Sequence, residues 1–258
     1  MIQLKGGSTI NRIELPVSEE RPVDLIVNDQ HLTTFMCTPK ELKQLAVGHL
    51  LARQMITSIA DIHMIGACDD MRKIYVKIGK ELPEQDLSLG KVIASGCGSG
   101  SAINNENIVN RKIDSNFELS ETVLKEAFTE MHRQAVEYQR TGGLHSAALV
   151  NESGVLTVQE DVGRHNAIDK LLGTTLFKGY ESGKLALITT GRLSSDMVLK
   201  ALGAGFPLVA TRSIPTSMAL EIAETAGITL VGRAHRTQKY FYCHTDRIKP
   251  KLKEGKQS

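Results

Sequence analysis

Residues 154–172 read GVLTVQEDVGRHNAIDKLL, and this stretch decides the fold of the second half of the chain. Its first six residues are mostly apolar and β-branched, as in a strand, whereas the apolar residues of 167–172 recur at helical spacing. The polar residues between them therefore lie where a strand passes into a helix. A turn of this kind brings backbone N–H groups and ionisable side chains into one place.

Two interpretations of this polar turn remain open. In the functional one, the free N–H groups of the helix attract an anion, and Arg164 and His165 add cationic donors to phosphate oxygens. Glu160 and Asp161 then orient those donors or hold a base or ribose. In the other interpretation, the turn is a capped helix with a local network of ion pairs.

The rest of the second half alternates between helical and strand patterns. A helix over 120–140 precedes a hairpin of 144–150 and 155–159. Strands at 184–189, 207–210 and 228–231 then alternate with helices near 194–204 and 215–226. This alternation predicts an α/β (α+β) fold with a three-layer α/β/α sandwich.

The first half is richer in strands and forms a smaller part. Strands over 23–27 and 32–37 form a hairpin, and further strands are predicted at 73–78 and 91–94. A helix follows the hairpin, with Thr38 as its N-cap, Pro39 at its first position and Glu41 reaching back to complete the cap. A polar linker over 104–116 marks the predicted boundary. The predicted division is an N-terminal part (1–110), an α/β/α domain (111–246) and a basic tail (247–258).

Charge and hydropathy restrict the functional class. The net charge is only +2, although eight Lys or Arg against two acids lie in 231–258. The aromatic content is 4%, with no Trp and no nucleic-acid-binding motif, so nucleic acid is not the expected partner. No apolar run of membrane-spanning length and no secretory signal is present, which predicts a cytoplasmic protein.

Cys97 is the candidate nucleophile. It lies in the loop 95–101 (SGCGSGS), between glycines and without apolar neighbours that could bury it, so we expect an accessible thiol in a mobile loop. Packing is expected for Cys37 and Cys243, and Cys68 lies beside acidic residues that disfavour its thiolate. No metal site is predicted, because the His and Cys residues lack the further ligands that a tetrahedral site requires.

Cationic residues also follow the predicted later strands. Arg192 comes after the strand ending at 189, and Arg233, His235 and Arg236 come after the strand ending at 231. Ligands bind at the carboxyl ends of strands in open α/β sheets. We therefore expect a ligand-binding cleft to which Arg164, His165, Arg192 and residues 233–238 contribute donors.

Four motifs in collinear order resemble the FdhD family of formate dehydrogenase accessory sulfurtransferases. They are TGGLHSAA (141–148), EDVGRHNAIDK (160–170), TGRLSSDM (190–197) and SIPTSMALEIAETA (213–226), followed by TLVG (229–232). The resemblance covers nearly the whole chain. It implies a fold similar to that of the cytidine deaminases, although the zinc-binding motif of a deaminase is missing.

The resemblance also implies a function. Proteins of this family are understood to take sulfur from a cysteine desulfurase and pass it to the molybdenum bis(molybdopterin guanine dinucleotide) cofactor of formate dehydrogenase, so GDP is the expected mimic. Cys97 matches the first cysteine of the family's Cys-x-x-Cys loop, but Gly100 replaces the second, so one persulfide must suffice. The family's cofactor-binding stretch matches Arg233, Ala234, His235, Arg236, Thr237 and Gln238, whose identities depart from the usual glycine-containing form.

Two other functions remain open. One is a non-catalytic chaperone that binds the molybdenum cofactor for formate dehydrogenase, which the missing second cysteine favours. The other is a cysteine hydrolase that uses Cys97 with His145 or His165 as the base. The sequence is compatible with a homodimer but does not fix the oligomeric state.

Overall fold

The structure is a computed structural model that describes residues 2–5, 9–12, 16–68, 70–82, 92–93, 108 and 110–250, with the backbone alone for 2–5, 9–12 and 92–93. Cys97 and its loop lie outside the described residues, as does the tail from residue 251. No helix in the described part of the chain is both long and apolar enough to span a bilayer.

Where the structure describes it, the first half is built from two sheets and a helix that packs on the second half. Strands β1 (Ile2–Lys5) and β2 (Thr9–Arg12) form an antiparallel pair. A five-stranded sheet has the order β5-β6-β3-β4-β7. Its strands are β3 (Arg21–Val27), β4 (Gln30–Cys37), β5 (Ile62–Ala67), β6 (Lys73–Ile78) and β7 (Val92–Ile93), and helix α1 spans Leu42–Ala52. The predicted β3–β4 hairpin is confirmed, with positive φ at Asn28 and Asp29, as a two-residue type I′ turn requires.

The second half is built on a six-stranded sheet of order β10-β9-β11-β12-β13-β14, in which β11, β12 and β13 are parallel to one another. Its strands are β9 (His145–Asn151), β10 (Gly154–Asp161), β11 (Ala186–Thr189), β12 (Leu208–Thr211), β13 (Thr229–Gly232) and β14 (Tyr240–Cys243). The helices are α2 (Glu121–Gln134), α3 (Val136–Thr141), α4 (Arg164–Phe177), α5 (Ser195–Ala204) and α6 (Ser217–Ala226). Short strands β8 (Leu119–Ser120) and β15 (Ile248–Lys249) pair in parallel.

Both faces of the six-stranded sheet are covered by helices. Alternate strand residues point to opposite faces, so neighbouring residues belong to different cores. Leu149, Leu187 and Val209 pack with residues of α4, α5 and α6, whereas Val150, Ile188 and Val231 pack with residues of α2. The predicted three-layer α/β/α sandwich is therefore confirmed, and its resemblance to the cytidine deaminase fold stays a prediction.

Helix α1 joins the two halves by packing against α4. A Cβ atom on Gly48 would overlap the carbonyl oxygen of Asp169, and one on Gly173 would overlap that of Gln44. The two helix backbones therefore approach closely at these glycines. One hydrophobic cluster contains Leu25 of the first sheet and Leu149 of the second. The predicted division into 1–110, 111–246 and 247–258 stays a prediction.

The predicted N-cap of α1 is wrong. The helix begins at Leu42, and its N-cap is Glu41, in a left-handed conformation with φ of 49° and no side-chain cap bond. Thr38 instead accepts a hydrogen bond from the N–H of Val162 at 3.2 Å, and its own N–H donates to Asp161 at 3.1 Å. The spacing of Thr38, Pro39 and Glu41 is that of a capping box. The N–H and the hydroxyl of Thr38 instead bond to residues that are distant in the sequence.

The predicted helix over 120–140 is two helices. Ser120 is the N-cap of α2, and its hydroxyl accepts from the N–H of Val123. Ala135 interrupts the helical backbone with a ψ of 73°, after which α3 continues to Thr141. Residues 182–184 form a 3-10 turn, so the strand predicted from 184 begins at Ala186.

Candidate functional site

The carboxyl ends of the parallel strands β11, β12 and β13 lie at one edge of the six-stranded sheet. Arg192, Arg212 and Arg233 follow these three strands in turn. Strand β9 is antiparallel to β11, so His145, at its start, lies at the same edge. We call this edge, with the arginines and His145, the cationic edge.

A cavity of about 450 Å³ opens at the cationic edge. Thr190 lies in its wall: the Thr190 hydroxyl is 3.2 Å from Nδ1 of His145 and accepts from the N–H of Ser146 at 3.1 Å. Burial, followed by the charge of Arg164, lowers the pKa of His145. The cavity is lined by Tyr138, Gly142, Gly143, Leu144, His145, Thr190 and Arg212.

Arg164 and His165 begin helix α4 beside this cavity. A Cβ atom on Gly191 would lie 2.9 Å from Cβ of Arg164, so the turn after β11 packs directly on Arg164. His165 is only 7% exposed, and its Nε2 has no hydrogen-bond partner among the described residues. Burial, with Lys200 and Arg164, lowers the pKa of His165 to about 3. Burial therefore favours the neutral form of His165 near pH 7, and its predicted role as a donor in the site stays a prediction.

The 233–238 segment starts with a tight turn. Arg233 has a φ of 48°, its N–H donates to Ser213, and its guanidinium lies 5.1 Å from the ring centroid of Tyr240. Ala234 is buried and its N–H donates to Thr211. These backbone bonds attach the segment to the turn after β12.

The remainder of this segment is more open. Nδ1 of His235 is buried without a partner in the described part of the chain, and burial, together with Arg212 and Arg236, lowers the pKa of this histidine. The side chains of Arg236, Thr237 and Gln238 are exposed. The structure thus brings Arg212, His235 and Arg236 together, although Arg212 was not predicted.

No carboxylate of the described residues balances the charge of the cationic edge. Within the described ranges, Arg192, Arg212, Arg233 and Arg236 form no ion pair. Several guanidinium groups at one edge of a sheet attract anions, and phosphate is the anion whose geometry suits the planar guanidinium fork. Of these arginines, Arg212 lines the cavity. This arrangement can bind a phosphorylated ligand.

The two acids of the 160–166 turn have structural partners, and the interpretation that they hold a base or ribose stays a prediction. Glu160 accepts from the N–H groups of Glu137 and Tyr138 at the start of α3. Asp161 accepts from the N–H groups of Thr38 and Gly163 and forms a buried ion pair with Lys170. The Asp161–Lys170 pair agrees with the alternative interpretation of local ion pairs, whereas Glu160 accepts from backbone N–H groups.

The three described cysteines are free thiols. Cys37 and Cys243 are buried, as predicted, and burial raises the pKa of Cys37 to about 12 and that of Cys243 to about 11. Sγ of Cys68 donates to Asp70 at 2.7 Å. No cluster of three His, Cys, Asp or Glu side chains that could hold a metal ion occurs in the residues that the structure describes.

Sequence reasoning missed Arg212, Thr190 and Tyr138. The position of Arg212 could have been predicted, because it follows the strand predicted at 207–210 in the way that Arg192 and Arg233 follow their strands. Thr190 lies inside the motif TGRLSSDM but carries no pattern of its own. Tyr138 belongs to α3, which reaches the cavity only because the helical segment breaks at Ala135.

Comparison with known proteins gives a consistent result. The model of the FdhD/NarQ family matches residues 18–249. The "Sulfur carrier protein FdhD" of Shouchella clausii is 32% identical over 246 residues, covering 93% of this chain and 92% of that protein. The protein of that name from Thermoplasma acidophilum is 34% identical over 247 residues, covering 92% and 87%.

The fold is also found in a solved structure. The crystal structure of a protein from Desulfotalea psychrophila, described as a formate dehydrogenase accessory protein, superposes with a TM-score of 0.79. The two sequences are 25% identical, and the match covers 96% of this chain and 97% of the other.

Proposed function

The chain belongs to the FdhD/NarQ family, and we propose that it is a sulfur carrier for formate dehydrogenase. In this proposal, Cys97 takes sulfur from a cysteine desulfurase as a persulfide and passes it to the molybdenum bis(molybdopterin guanine dinucleotide) cofactor. The carrying observation is the family match over residues 18–249, which includes Cys97 and each arginine of the cationic edge. The protein acts as a sulfurtransferase in the cytoplasm, where its free thiols stay reduced.

The loading step is a thiol–persulfide exchange. The Cys97 thiolate attacks the terminal sulfur of the desulfurase persulfide, and a new S–S bond forms as the donor's S–S bond breaks. The desulfurase thiolate is the leaving group, so no external oxidant or reductant is required. A second cysteine is not needed for this exchange, which is compatible with Gly100 in the loop.

The cationic edge supports the assignment of the acceptor, which is a substrate of this protein. Each guanine dinucleotide arm carries a pyrophosphate, whose charge suits Arg192, Arg212 and Arg236. The wall of the cavity adds the aromatic ring of Tyr138 and the neutral His145, which can contact a base or ribose. GDP is therefore the expected mimic, with residues 233–238 as further donors.

Strand pairing supports delivery of sulfur from Cys97 to this edge. Strand β7 pairs in parallel with β4, with Ile93 opposite Phe35. One residue beyond the end of β4 at Cys37, the chain contacts the 160–166 turn, because the N–H of Thr38 donates to Asp161. Cys97 follows Ile93 by four residues. A fully extended chain of four residues reaches about 14 Å. The short separation along the chain between β7 and Cys97 supports the proposed delivery of sulfur to this edge.

Mass spectrometry of the intact protein tests the carrier function. After incubation with a cysteine desulfurase and cysteine, we expect a gain of about 32 Da, which is one sulfur atom on a thiol. The gain should persist in Cys37→Ala, Cys68→Ala and Cys243→Ala and disappear in Cys97→Ala, which should also fail to activate formate dehydrogenase. An active Cys97→Ala variant would instead support the non-catalytic chaperone.

Calorimetry with GDP tests the acceptor site. Arg212→Ala, Arg192→Ala and Arg236→Ala should each weaken binding by roughly tenfold, because a charged hydrogen bond contributes about 1.5 kcal/mol or more. Lys184→Ala is the matched control, since its exposed ammonium lies at the start of β11, at the opposite edge of the sheet. Equal affinity in all four variants would reject the cationic edge as the nucleotide site.

A further inference from the structure

Helix α3 contributes to the cavity at the cationic edge, but its own sequence does not cap it. The helix has six residues, and its N-cap, Ala135, has no side chain that could accept a hydrogen bond from the free N–H groups of the first turn. A helix of this length is not stable by itself in water. The position of α3 therefore depends on contacts with other elements.

Glu160 supplies the missing cap from strand β10. One of its carboxylate oxygens accepts from the N–H of Tyr138 at 2.7 Å, and the other accepts from the N–H of Glu137 at 3.0 Å. These are hydrogen bonds to a charged acceptor, and the helix dipole favours a negative charge at this end of α3. Glu160 lies 22 residues from Tyr138 in the sequence, so this cap forms only in the folded chain.

Tyr138 is the cavity residue that these contacts fix most directly. Its N–H donates to Glu160, and its carbonyl oxygen accepts from the N–H of Gly142 at 2.7 Å. Its ring packs against the ring of His132 in an edge-on arrangement, with 5.7 Å between the centroids. Tyr138 and Gly142 both line the cavity. The backbone of Tyr138 is therefore held on both sides where the residue meets the cavity.

The strand that carries Glu160 also leads to another part of the cavity wall. Glu160 lies opposite Ser146 in the pairing of β10 with β9. The N–H of Ser146 donates to the hydroxyl of Thr190 at 3.1 Å, and His145 precedes Ser146 in the same strand. His145 and Thr190 line the cavity together with Tyr138. Glu160 thus relates α3 to the His145 and Thr190 part of the wall through a single strand pair.

We propose that Glu160 is a positioning residue, which holds α3 so that the ring of Tyr138 stacks on the base of a nucleotide bound in the cavity. This inference rests on the proposed function, in which the nucleotide is the guanine end of the acceptor. Stacking on an aromatic ring accepts any base. Tyr138 therefore determines the preference for a nucleotide over inorganic pyrophosphate, while the arginines bind the phosphates of either ligand.

Calorimetry with GDP and with inorganic pyrophosphate tests this role. Glu160→Ala and Tyr138→Leu should each weaken GDP binding by about tenfold, which is the usual contribution of a stacked base. Both variants should bind pyrophosphate within about twofold of wild type, because this ligand has no base. The double variant should bind GDP no more weakly than Tyr138→Leu alone, because Glu160 acts through Tyr138.

Two further variants keep the test decisive. Ser120→Ala is the matched control, because the Ser120 hydroxyl caps α2 by accepting from the N–H of Val123 at 3.2 Å, and no α2 residue is among the described residues that line the cavity. It should bind GDP as wild type does. Glu160→Gln keeps one acceptor oxygen for α3, so it should show the same selective loss, in smaller measure, if Glu160→Ala does not fold.

The outcomes distinguish the two proposals. Wild-type protein that binds neither GDP nor pyrophosphate would refute the acceptor site of the proposed function. Wild-type protein that binds GDP, beside Glu160 variants of unchanged GDP affinity, would refute only the positioning role. That role would also be refuted if Glu160→Ala lost GDP and pyrophosphate binding equally, or if Ser120→Ala lost as much GDP affinity, because the effect would then follow from stability alone.

Discussion

The carboxylate of Asp161 lies 2.8 Å from Nζ of Lys170, and neither side chain is exposed to solvent. Burial raises the pKa of Asp161, while the ammonium of Lys170 opposes that rise. Charges buried this deeply persist only when each has a partner and further hydrogen bonds, as both have here. The stability of the contact between the end of β4 and the start of α4 therefore depends on the pair being complete.

Removal of one partner should be strongly destabilising. Lys170→Met leaves Asp161 buried without its counter-ion, and the free energy of unfolding in urea should fall by about 3–5 kcal/mol. Lys184→Met is the control, because the exposed Lys184–Glu181 pair should contribute at most about 1 kcal/mol. Similar losses in the two variants would show that the buried pair is not a special source of stability.

The glycine contact between α1 and α4 should tolerate no side chain. In Gly173→Ala the added methyl group would overlap the backbone of Gln44, and separation of the helices should cost about 1–3 kcal/mol or more. Gly66→Ala is matched in chemistry but adds its methyl group into open space, so its midpoint of thermal unfolding should barely change. Wild-type stability in Gly173→Ala would disprove the close packing of the two helices.

Stability should fall as the pH is lowered below 6.5. Burial lowers the pKa of His49 to about 4 and that of His165 to about 3. Because both folded-state pKa values lie below that of an unfolded chain, the unfolded state binds more protons and is favoured as the pH falls. The contribution is complete above pH 6.5 and is lost through the window down to about pH 4.

Urea unfolding across this window measures the effect. Each histidine should add about 1 kcal/mol per pH unit to the slope of the free energy of unfolding against pH. His49→Gln should reduce this slope below pH 6.5, and the free energy of unfolding above pH 6.5 should stay independent of pH. A free energy of unfolding that is constant from about pH 7 to about pH 4.5 would show that these histidines are not held neutral.

The thiols should differ widely in reactivity. Alkylation by iodoacetamide requires a thiolate, so Cys37 and Cys243, with pKa values near 12 and 11, should react last in the native protein. Cys97 is expected to react first and Cys68 to be intermediate, and peptide mapping of partly alkylated protein gives the order. If Cys37 were modified as early as Cys97, the burial of Cys37 would be disproved.

The sequence alone determined the layered fold and the position of two arginines at the cationic edge. Strands with buried residues at every position alternate with amphipathic helices, and this pattern depends on periodicity within each segment. Arg192 and Arg233 were placed correctly because the carboxyl ends of parallel strands share one edge. Arg212 occupies the same relation to its strand and could have been placed by the same argument.

Only the tertiary structure decided how the acids and the polar groups before α1 are used. Thr38 has the spacing of an N-cap, but the end of β4 meets the 160–166 turn, which lies more than a hundred residues away in sequence, and the Thr38 groups bond there. In the folded chain the oxygens of Asp161 bond to Lys170, Thr38 and Asn166. Local patterns set which bonds a side chain can form, whereas its partners and its charge depend on burial and on contacts that only the folded chain provides.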